Sequence, residues 1–202
     1  MPRTSADTDR RSEILAAAAR CFDASGYHNT TIDDIAAAVG VSKPTVYYYF
    51  RSKHELLYLI HDEMLDLVLS RHEARAREGF ASHSAALEGL MRDVVALTET
   101  HPGHLLISFE HYRELSREFK PRIRAKRDRF RSIVREVVRS GMESGEFIVQ
   151  DVEMTTLAVL GMCNWTYQWL RPESRTAAEV AESFWRFTMR SIAVDPVAQG
   201  AV

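Results

Sequence analysis

The chain has little of what marks secreted, membrane-spanning or disulfide-stabilised proteins. Its 202 residues include only two cysteines, Cys21 and Cys163, which lie far apart within apolar helical patterns. We therefore expect two buried thiols rather than a disulfide. No segment approaches the roughly 18 uninterrupted apolar residues of a membrane span, and the polar N-terminal residues contain no apolar signal segment. These absences predict a cytoplasmic protein with no membrane partner.

The sequence also lacks the motifs of common enzyme and metal-binding classes. There is no glycine-rich phosphate loop, no nucleophile elbow and no paired set of metal ligands, so we expect no catalytic residues, no cofactor and no metal. A metal sensor would rest on His101, His104 and His111, but Pro102 interrupts the helix between the first two. The formal net charge is −2, so any binding of nucleic acid must depend on a local surface.

What the chain does have is helical periodicity almost throughout, with no sustained strand-like alternation. The pattern predicts an all-α fold of about nine helices, consisting of an N-terminal three-helix domain and a larger C-terminal helical domain. A disordered tail is predicted at 1–9, the three-helix domain at 10–57, the larger domain at 58–194 and a second tail at 195–202. The predicted helices are 10–25, 32–39, 43–50, 52–78, 84–100, 104–118, 121 to 141 or 145, 152–170 and 176–194.

Two short helices within 30–50 carry the features of a helix-turn-helix. They are joined by Val39-Gly40-Val41-Ser42, and a short turn that contains glycine lets two helices cross near a right angle. Thr30 or Thr31 can cap the first helix, and Ser42 can cap the second. The alternatives are an architectural helix-turn-helix, and tyrosines that serve only as core and surface aromatics.

The exposed side chains of the second helix are of types that read DNA. Lysine donates to guanine edges or phosphates, threonine can meet either, and tyrosine hydroxyls donate to phosphates. One protomer presents only a short reading helix, so a two-fold dimer on a near-palindromic, double-stranded operator is the geometric expectation. The side chains left unused by packing are Lys43, Thr45, Tyr47, Tyr48 and Tyr49, while Arg51 and Lys53 add donors for the DNA backbone.

Over residues 10–57 the sequence resembles the DNA-binding domain of the TetR family, through the segments 19–31, 32–36, 40–50 (GVSKPTVYYYF) and 52–57. The resemblance implies an all-helical homodimer, a ligand cavity, and a dimer interface formed by the last two helices, at about 152–171 and 176–194. Tyr49 departs from the family, which often has histidine there. Carried over by motif position, the residues that contact DNA are Thr31, Lys43, Pro44, Thr45, Tyr47, Tyr48 and Lys53.

The last two predicted helices carry broad apolar faces that suit a four-helix dimer seam, although the same faces could form an intramolecular core. Small Gly161 and Ala181 would allow close helix approach. The residues of the two faces are Leu157, Leu160, Gly161, Asn164 and Trp165 on one helix, and Val180, Ala181, Phe184, Phe187 and Thr188 on the other.

The segment 164–172 (NWTYQWLRP) contains two tryptophans one helical turn apart. Taken alone, such a pair is more often core than a ligand site. The segment nevertheless resembles TetR-family regulators of fatty-acid and steroid-ring catabolism, which respond to acyl-CoA thioesters, and 141–147 fits the same group. The residues predicted to bind the small-molecule effector are Phe109, Tyr112, Arg113, Asn164, Trp165 and Trp169.

The segment 120–135 (KPRIRAKRDRFRSIVR) has eight Lys or Arg against one Asp. A basic cavity mouth would match the phosphorylated head of an acyl-CoA, whose tail is apolar. The alternative is a solvated helix whose charges pair with Glu110, Glu114 and Glu118. Its place in the chain argues against a second DNA surface.

The sequence thus predicts a ligand-responsive DNA-binding transcriptional regulator, a repressor released from its operator by an acyl-CoA thioester of lipid or steroid catabolism. The alternative effector is a drug-like or aromatic molecule. A pocket rich in buried Asp or Glu would favour that alternative, because such carboxylates pair with cationic drugs.

Overall fold

The computed structural model describes residues 5–171 and 173–194, which form ten α-helices and one short 3-10 helix. Within these ranges there is no strand, and an isolated bridge joins Phe147 to Ala193, so the all-α prediction is confirmed. No helix in the described part is long and apolar enough to cross a membrane. The helices are α1 Ser5–Ser25, α2 Ile32–Ala38, α3 Lys43–Tyr49, α4 Lys53–Glu78, α5 His83–Thr100, α6 His104–Glu110, the 3-10 helix Tyr112–Glu114, α7 Lys120–Glu143, α8 Val152–Asn164, α9 Thr166–Trp169 and α10 Ala177–Ile192.

Helix α1 begins at Ser5, five residues before the predicted start, so residues 5–9 of the predicted tail are helical. Asp7 lies in the first turn, where a carboxylate interacts favourably with the helix dipole. Its Oδ1 also accepts a hydrogen bond from the Tyr49 hydroxyl at 3.2 Å, which ties the start of α1 to α3. The remainder of that tail, 1–4, and the predicted tail 195–202 lie outside the described residues.

Two predicted helices are shorter or divided. The one predicted at 104–118 ends at Glu110, because His111 leaves the helical region (φ −110°, ψ 17°) and the chain turns to bury Leu115. The one predicted at 152–170 is divided at Trp165 into α8 and α9. There the Thr166 hydroxyl donates to the Cys163 carbonyl at 2.8 Å and competes with the helical hydrogen-bond ladder.

By its internal contacts the chain divides into two compact units: Met1–Leu65 with Thr100–Arg124, and Asp66–Glu99 with Ala125–Val202. The first unit therefore contains α1 to α3, the start of α4, α6 and the start of α7. Close packing of α6 on α1 depends on Gly103 (φ +82°), because a Cβ there would lie 3.0 Å from the Ala19 carbonyl oxygen. The predicted boundary between 57 and 58 concerns function and stays a prediction.

The core of the first unit holds α3 (Lys43–Tyr49), the predicted reading helix, in place. A helix of two turns does not persist alone in water. Val46 of α3 and its C-cap Phe50 are fully buried together with Ile14, Phe22 and Ile35 of the preceding helices. Burial of an aliphatic or aromatic side chain contributes about 1.5–3 kcal/mol, so these contacts offset the cost of forming α3.

The core of the second unit takes residues that the sequence assigned to the dimer seam. Val180, Ala181 and Thr188 of α10 are buried within the protomer, so their assignment to the seam was wrong. They fall on the side of α10 that packs within its own unit, and periodicity alone could not separate that side from the outer one. Cys163 is a buried free thiol as predicted, whereas the Cys21 thiol is partly exposed.

Candidate nucleic-acid interface and effector cavity

The reading helix α3 is capped by local hydrogen bonds. Ser42 is its N-cap, its Oγ accepts from the Thr45 backbone N–H at 3.4 Å, and its hydroxyl also bonds the Thr45 hydroxyl at 2.8 Å. Pro44 occupies the first turn, where a missing N–H leaves no bond unmade. The polar side of a seven-residue helix is therefore presented in a fixed orientation.

The outer side of α3 brings several predicted DNA contacts together. Tyr48 is 76% exposed and Tyr47 48% exposed, and Pro44 is exposed one turn earlier. The Lys43 ammonium lies 2.7 Å from an Asp33 carboxylate oxygen, and this hydrogen bond raises the pKa of Lys43. The lysine is thus fully protonated, and a DNA contact can use its other two N–H groups or replace the bond to Asp33.

Thr31 and Tyr49 serve local structure. Thr31 caps α2 in a capping box: its Oγ1 accepts from the Asp34 backbone N–H at 3.2 Å, and its own N–H donates to the Asp34 carboxylate at 2.7 Å. Tyr49 is half-buried, and its hydroxyl donates to Asp7. A phosphate contact by either side chain would have to coexist with or replace these bonds.

Lys53 anchors the start of α4 to the loop after α1. Its Nζ donates to the carbonyls of Tyr27 at 2.8 Å, Thr30 at 2.9 Å and His28 at 3.4 Å, and lies 4.4 Å from the centre of the Tyr27 ring. Burial lowers the pKa of Lys53. Because its three N–H groups already have acceptors, a DNA contact by Lys53 requires exchange of at least one bond. That contact stays a prediction.

The predicted effector residues fall into two sets. Phe109, Tyr112 and Arg113 lie in the first unit, and Asn164, Trp165 and Trp169 lie in the second. The two tryptophans are not core, because Trp165 is 59% exposed and Trp169 is 43% exposed. Trp165 packs edge-on against Tyr167 and Trp169 against Phe184.

The second unit contains an apolar cavity that sequence reasoning missed. Its volume is about 10 Å³, close to that of a single water-sized sphere. The sequence feature that could have indicated the cavity is the helical spacing of apolar residues on α5 and α7, but a solid core requires the same spacing. No acidic side chain lines the cavity, and burial raises the pKa of the Cys163 thiol in its wall to about 12. The lining consists of Leu90, Met91, Val94, Phe130, Val134, Val159, Leu160 and Cys163.

The basic segment forms the first two thirds of α7, and most of its charges that lie in the second unit are paired. Lys126 lies 2.7 Å from Asp66, Arg129 lies 2.6 Å from Glu73, and Arg131 pairs with Glu153. These partners belong to α4 and α8 rather than to the predicted set Glu110, Glu114 and Glu118, because α4 and α8 flank this part of α7. The Arg131–Glu153 pair links the two helices α7 and α8, which both line the apolar cavity.

The histidines considered for a metal sensor do not form a metal centre. His101 and His104 pack edge-to-face with ring centres 5.3 Å apart. In the two described ranges, no group of three or more His, Cys, Asp or Glu side chains is placed to hold a metal ion.

Comparison with known proteins agrees with this arrangement. Residues 14–58 match the model for bacterial regulatory proteins of the tetR family, and residues 81–192 match the Tetracyclin repressor-like C-terminal domain. The chain belongs to the TetR family. As a TetR-family protein it is a DNA-binding transcriptional repressor rather than an enzyme.

Relatives of this TetR-family chain match along most of its length. The HTH-type transcriptional repressor KstR2 of Rhodococcus jostii (strain RHA1) is 27% identical over 204 residues, which cover 94% of this chain and 94% of the relative. PfmR from Thermus thermophilus has a TM-score of 0.81 and 32% identity, covering 88% of this chain and 97% of its own. AibR in complex with isovaleryl coenzyme A and operator DNA has a TM-score of 0.78 and 26% identity, covering 88% and 97%.

Proposed function

We propose that this TetR-family repressor binds its operator as a homodimer and is released by an acyl-CoA thioester. The observation that carries the effector class is the wall of the small cavity between α5, α7 and α8, which is apolar and has no carboxylate. An acyl chain needs only such a wall, whereas a cationic drug needs a buried acid or an aromatic box.

The DNA contacts proposed are those predicted from the motif, with Lys43, Pro44, Tyr47 and Tyr48 as the readers of the groove and its edges. Their exposure on a capped, anchored helix supports this role. Thr31, Thr45 and Lys53 are proposed as supporting contacts to the DNA backbone. A helix of seven residues makes too few contacts for specific affinity, so two copies on adjacent half-sites are required.

A homodimer is supported by an apolar face on the last helices. Met154, Leu157 and Gly161 are exposed on α8 at helical spacing, its C-cap Trp165 is exposed as well, and Phe187 of α10 is 62% exposed. Extended apolar surface of this kind marks a protein interface. A Cβ placed on Gly161 would meet no atom within 4 Å, so this side of α8 is open to close approach by a second helix.

The acyl-CoA assignment is supported by two further observations. AibR, a similar structure, is a complex with isovaleryl coenzyme A and operator DNA. Asp93, the buried acid on α5, is paired with Arg71 and Arg75 and is therefore not available to a cationic ligand. Arg131, beside the cavity residue Phe130 on α7, is a candidate partner for the phosphates of coenzyme A.

The size of the cavity connects binding to release. A volume of about 10 Å³ cannot hold an acyl chain, so α7 and α8 must move apart and the Arg131–Glu153 pair must open. The effector then favours the state with the wider cavity, and a coupling of about 1–3 kcal/mol shifts the protein away from the DNA-bound state.

Fluorescence anisotropy tests the effector class. Full-length protein is bound to labelled DNA from upstream of its own gene and titrated with isovaleryl-CoA and longer acyl-CoAs, with the free acids and coenzyme A as controls. We expect an acyl-CoA thioester to release the protein from the DNA, and the free acids and coenzyme A to leave it bound. Specific binding that every thioester leaves unchanged, but that aromatic or cationic drugs disturb, would assign the second effector class instead.

A variant links the response to the cavity. Leu160→Ala shortens a half-buried wall residue and enlarges a cavity that is too small for an acyl chain, so it is expected to lower the thioester concentration for half-release by about tenfold, equal to about 1.4 kcal/mol. DNA affinity without effector should stay unchanged. An unaltered response to the thioester in this variant would show that the effector does not bind in this cavity.

A further inference from the structure

We infer that the start of α7 carries an additional DNA-backbone contact, centred on Arg122, and this inference rests on the DNA-binding function above. Arg122 faces a cleft of about 590 Å³ that lies wholly within the first unit. We call it the α4–α7 cleft. It is lined by Arg51, Ser52, His54, Glu55, Tyr58, Ser116, Glu118, Phe119 and Arg122.

The α4–α7 cleft borders the reading helix. Arg51 and Ser52 in its wall directly follow Phe50, the C-cap of α3. On the other side, Tyr58 of α4 stacks on Phe119 with ring centres 4.2 Å apart and an interplanar angle of 13°. This stack fixes the start of α7, and with it Arg122, against the N-terminal part of α4.

Two arginines of the cleft are available to an anion. Arg51 and Arg122 are exposed, and neither forms an ion pair within the described part of the chain. The cleft also holds two carboxylates: Glu55, which accepts a hydrogen bond from the Arg51 backbone N–H at 2.5 Å, and Glu118. Arginine matches phosphate oxygens through two parallel N–H bonds.

The contrast along α7 strengthens the assignment. Beyond the unit boundary at Arg124, Lys126, Arg129 and Arg131 are each satisfied by a carboxylate. Before it, Arg122 has no such partner and lies in the same unit as α3. The sequence position of this segment argued against a DNA surface, and its packing with the N-terminal helices removes that objection.

The occupant is a phosphate of the DNA backbone rather than the phosphates of an effector. The cleft shares its wall with the segment that follows the reading helix, whereas the apolar cavity proposed for an acyl chain lies in the second unit. A backbone contact is independent of sequence, so it contributes equally on operator and on random DNA.

Salt dependence of binding tests the contact without knowledge of the operator. Full-length protein is titrated onto a labelled random-sequence duplex of about 30 base pairs, long enough for two half-sites, between about 50 and 200 mM NaCl. Arg122→Ala is expected to flatten the slope of log K against log salt by about 0.9 for each phosphate that is no longer neutralised, or about 1.8 per dimer. Arg122→Lys keeps the charge and should keep the slope.

Arg135→Ala is the matched control, because Arg135 is also exposed on α7 and without an ion pair in the described ranges, but lies in the second unit. Its slope should equal that of the wild type. If the wild type binds DNA and Arg122→Ala leaves the slope unchanged, the inference about Arg122 is wrong while the DNA-binding function stands. A defect of Arg122→Ala that is confined to the acyl-CoA response would also overturn the inference. A wild type without DNA affinity would overturn the DNA-binding function as well.

Discussion

The guanidinium of Arg75 lies over Gly89 and holds both carboxylate oxygens of Asp93. Nη1 donates to Oδ1 at 3.3 Å, and Nη2 donates to Oδ2. A Cβ on Gly89 would lie 2.9 Å from the Arg75 Nε, so the glycine leaves the space that the arginine uses. The pair joins the second half of α4 to α5 within the second unit.

Removal of this carboxylate should destabilise the protein. Asp93 is buried, and Asp93→Ala leaves Arg71 and Arg75 without their acceptor. We expect the free energy of unfolding in urea to fall by about 1.5–3 kcal/mol. Glu143→Ala, an exposed carboxylate on α7, is the control and should change stability by less than about 0.5 kcal/mol. Equal stability of the two variants would contradict the structural role of Asp93.

Two helical glycines should respond oppositely to alanine. A Cβ at Gly141 of α7 would overlap the buried Phe147 ring, so Gly141→Ala is expected to lower the free energy of unfolding by about 1–3 kcal/mol through overpacking. Gly161→Ala meets no atom within 4 Å and should be neutral or stabilising by up to about 1 kcal/mol, from helix propensity. Thermal unfolding followed by circular dichroism measures both. Similar gains in the two variants would show that propensity, not the Phe147 contact, decides.

Glu146 should make stability depend on pH. Burial disfavours its charge, but hydrogen bonds from the backbone and side chains of His83 and Ser84 outweigh this and lower the pKa of Glu146 to about 2. The folded pKa is below the ordinary value, so the stabilisation is complete above about pH 4.5 and is lost as the pH falls toward 2. Glu146→Ala should cost about 1 kcal/mol at pH 7, as loss of an N-cap does. A cost that stays constant down to pH 2 would exclude the carboxylate as its source.

DNA binding should depend on the outer side of α3. Tyr48→Ala and Lys43→Ala are each expected to weaken binding to DNA from upstream of the gene by about 1–3 kcal/mol, while dimerisation stays intact. Arg20→Ala, an exposed change on α1, serves as the control. Anisotropy titrations measure affinity, and sedimentation confirms the assembly state. Wild-type affinity in both α3 variants would remove these residues from the interface.

Self-association should depend on the open side of α8. Gly161→Leu is expected to leave the protomer folded, since nothing lies within 4 Å of a new Cβ, but to keep a second helix from approaching. Sedimentation velocity should then show a shift from dimer toward monomer. Ala85→Leu, an exposed position on α5, is the matched small-to-large control and should remain dimeric. A dimeric Gly161→Leu variant would place the interface elsewhere.

Local features of the fold were predictable because the interactions behind them span only a few residues. Thr31 at the start of α2 and Ser42 at the start of α3 are caps within three residues of their partners, and both are confirmed. The lining of the apolar cavity could not be reached in this way, since an apolar spacing such as that of Leu90 and Val94 fits a core, a cavity or an interface equally well.

By itself, the sequence determined the all-α fold and the family, because helix periodicity, caps and the turn around Gly40 are local. Only the tertiary structure decided which groups the long, charged side chains bind. It directs Lys53 to carbonyls more than twenty residues away, Glu146 to the start of α5, and Arg122 to the unit that contains the reading helix. A flexible charged side chain pairs with whatever group packing brings within reach, and the adjacent residues in the sequence do not reveal which group that is.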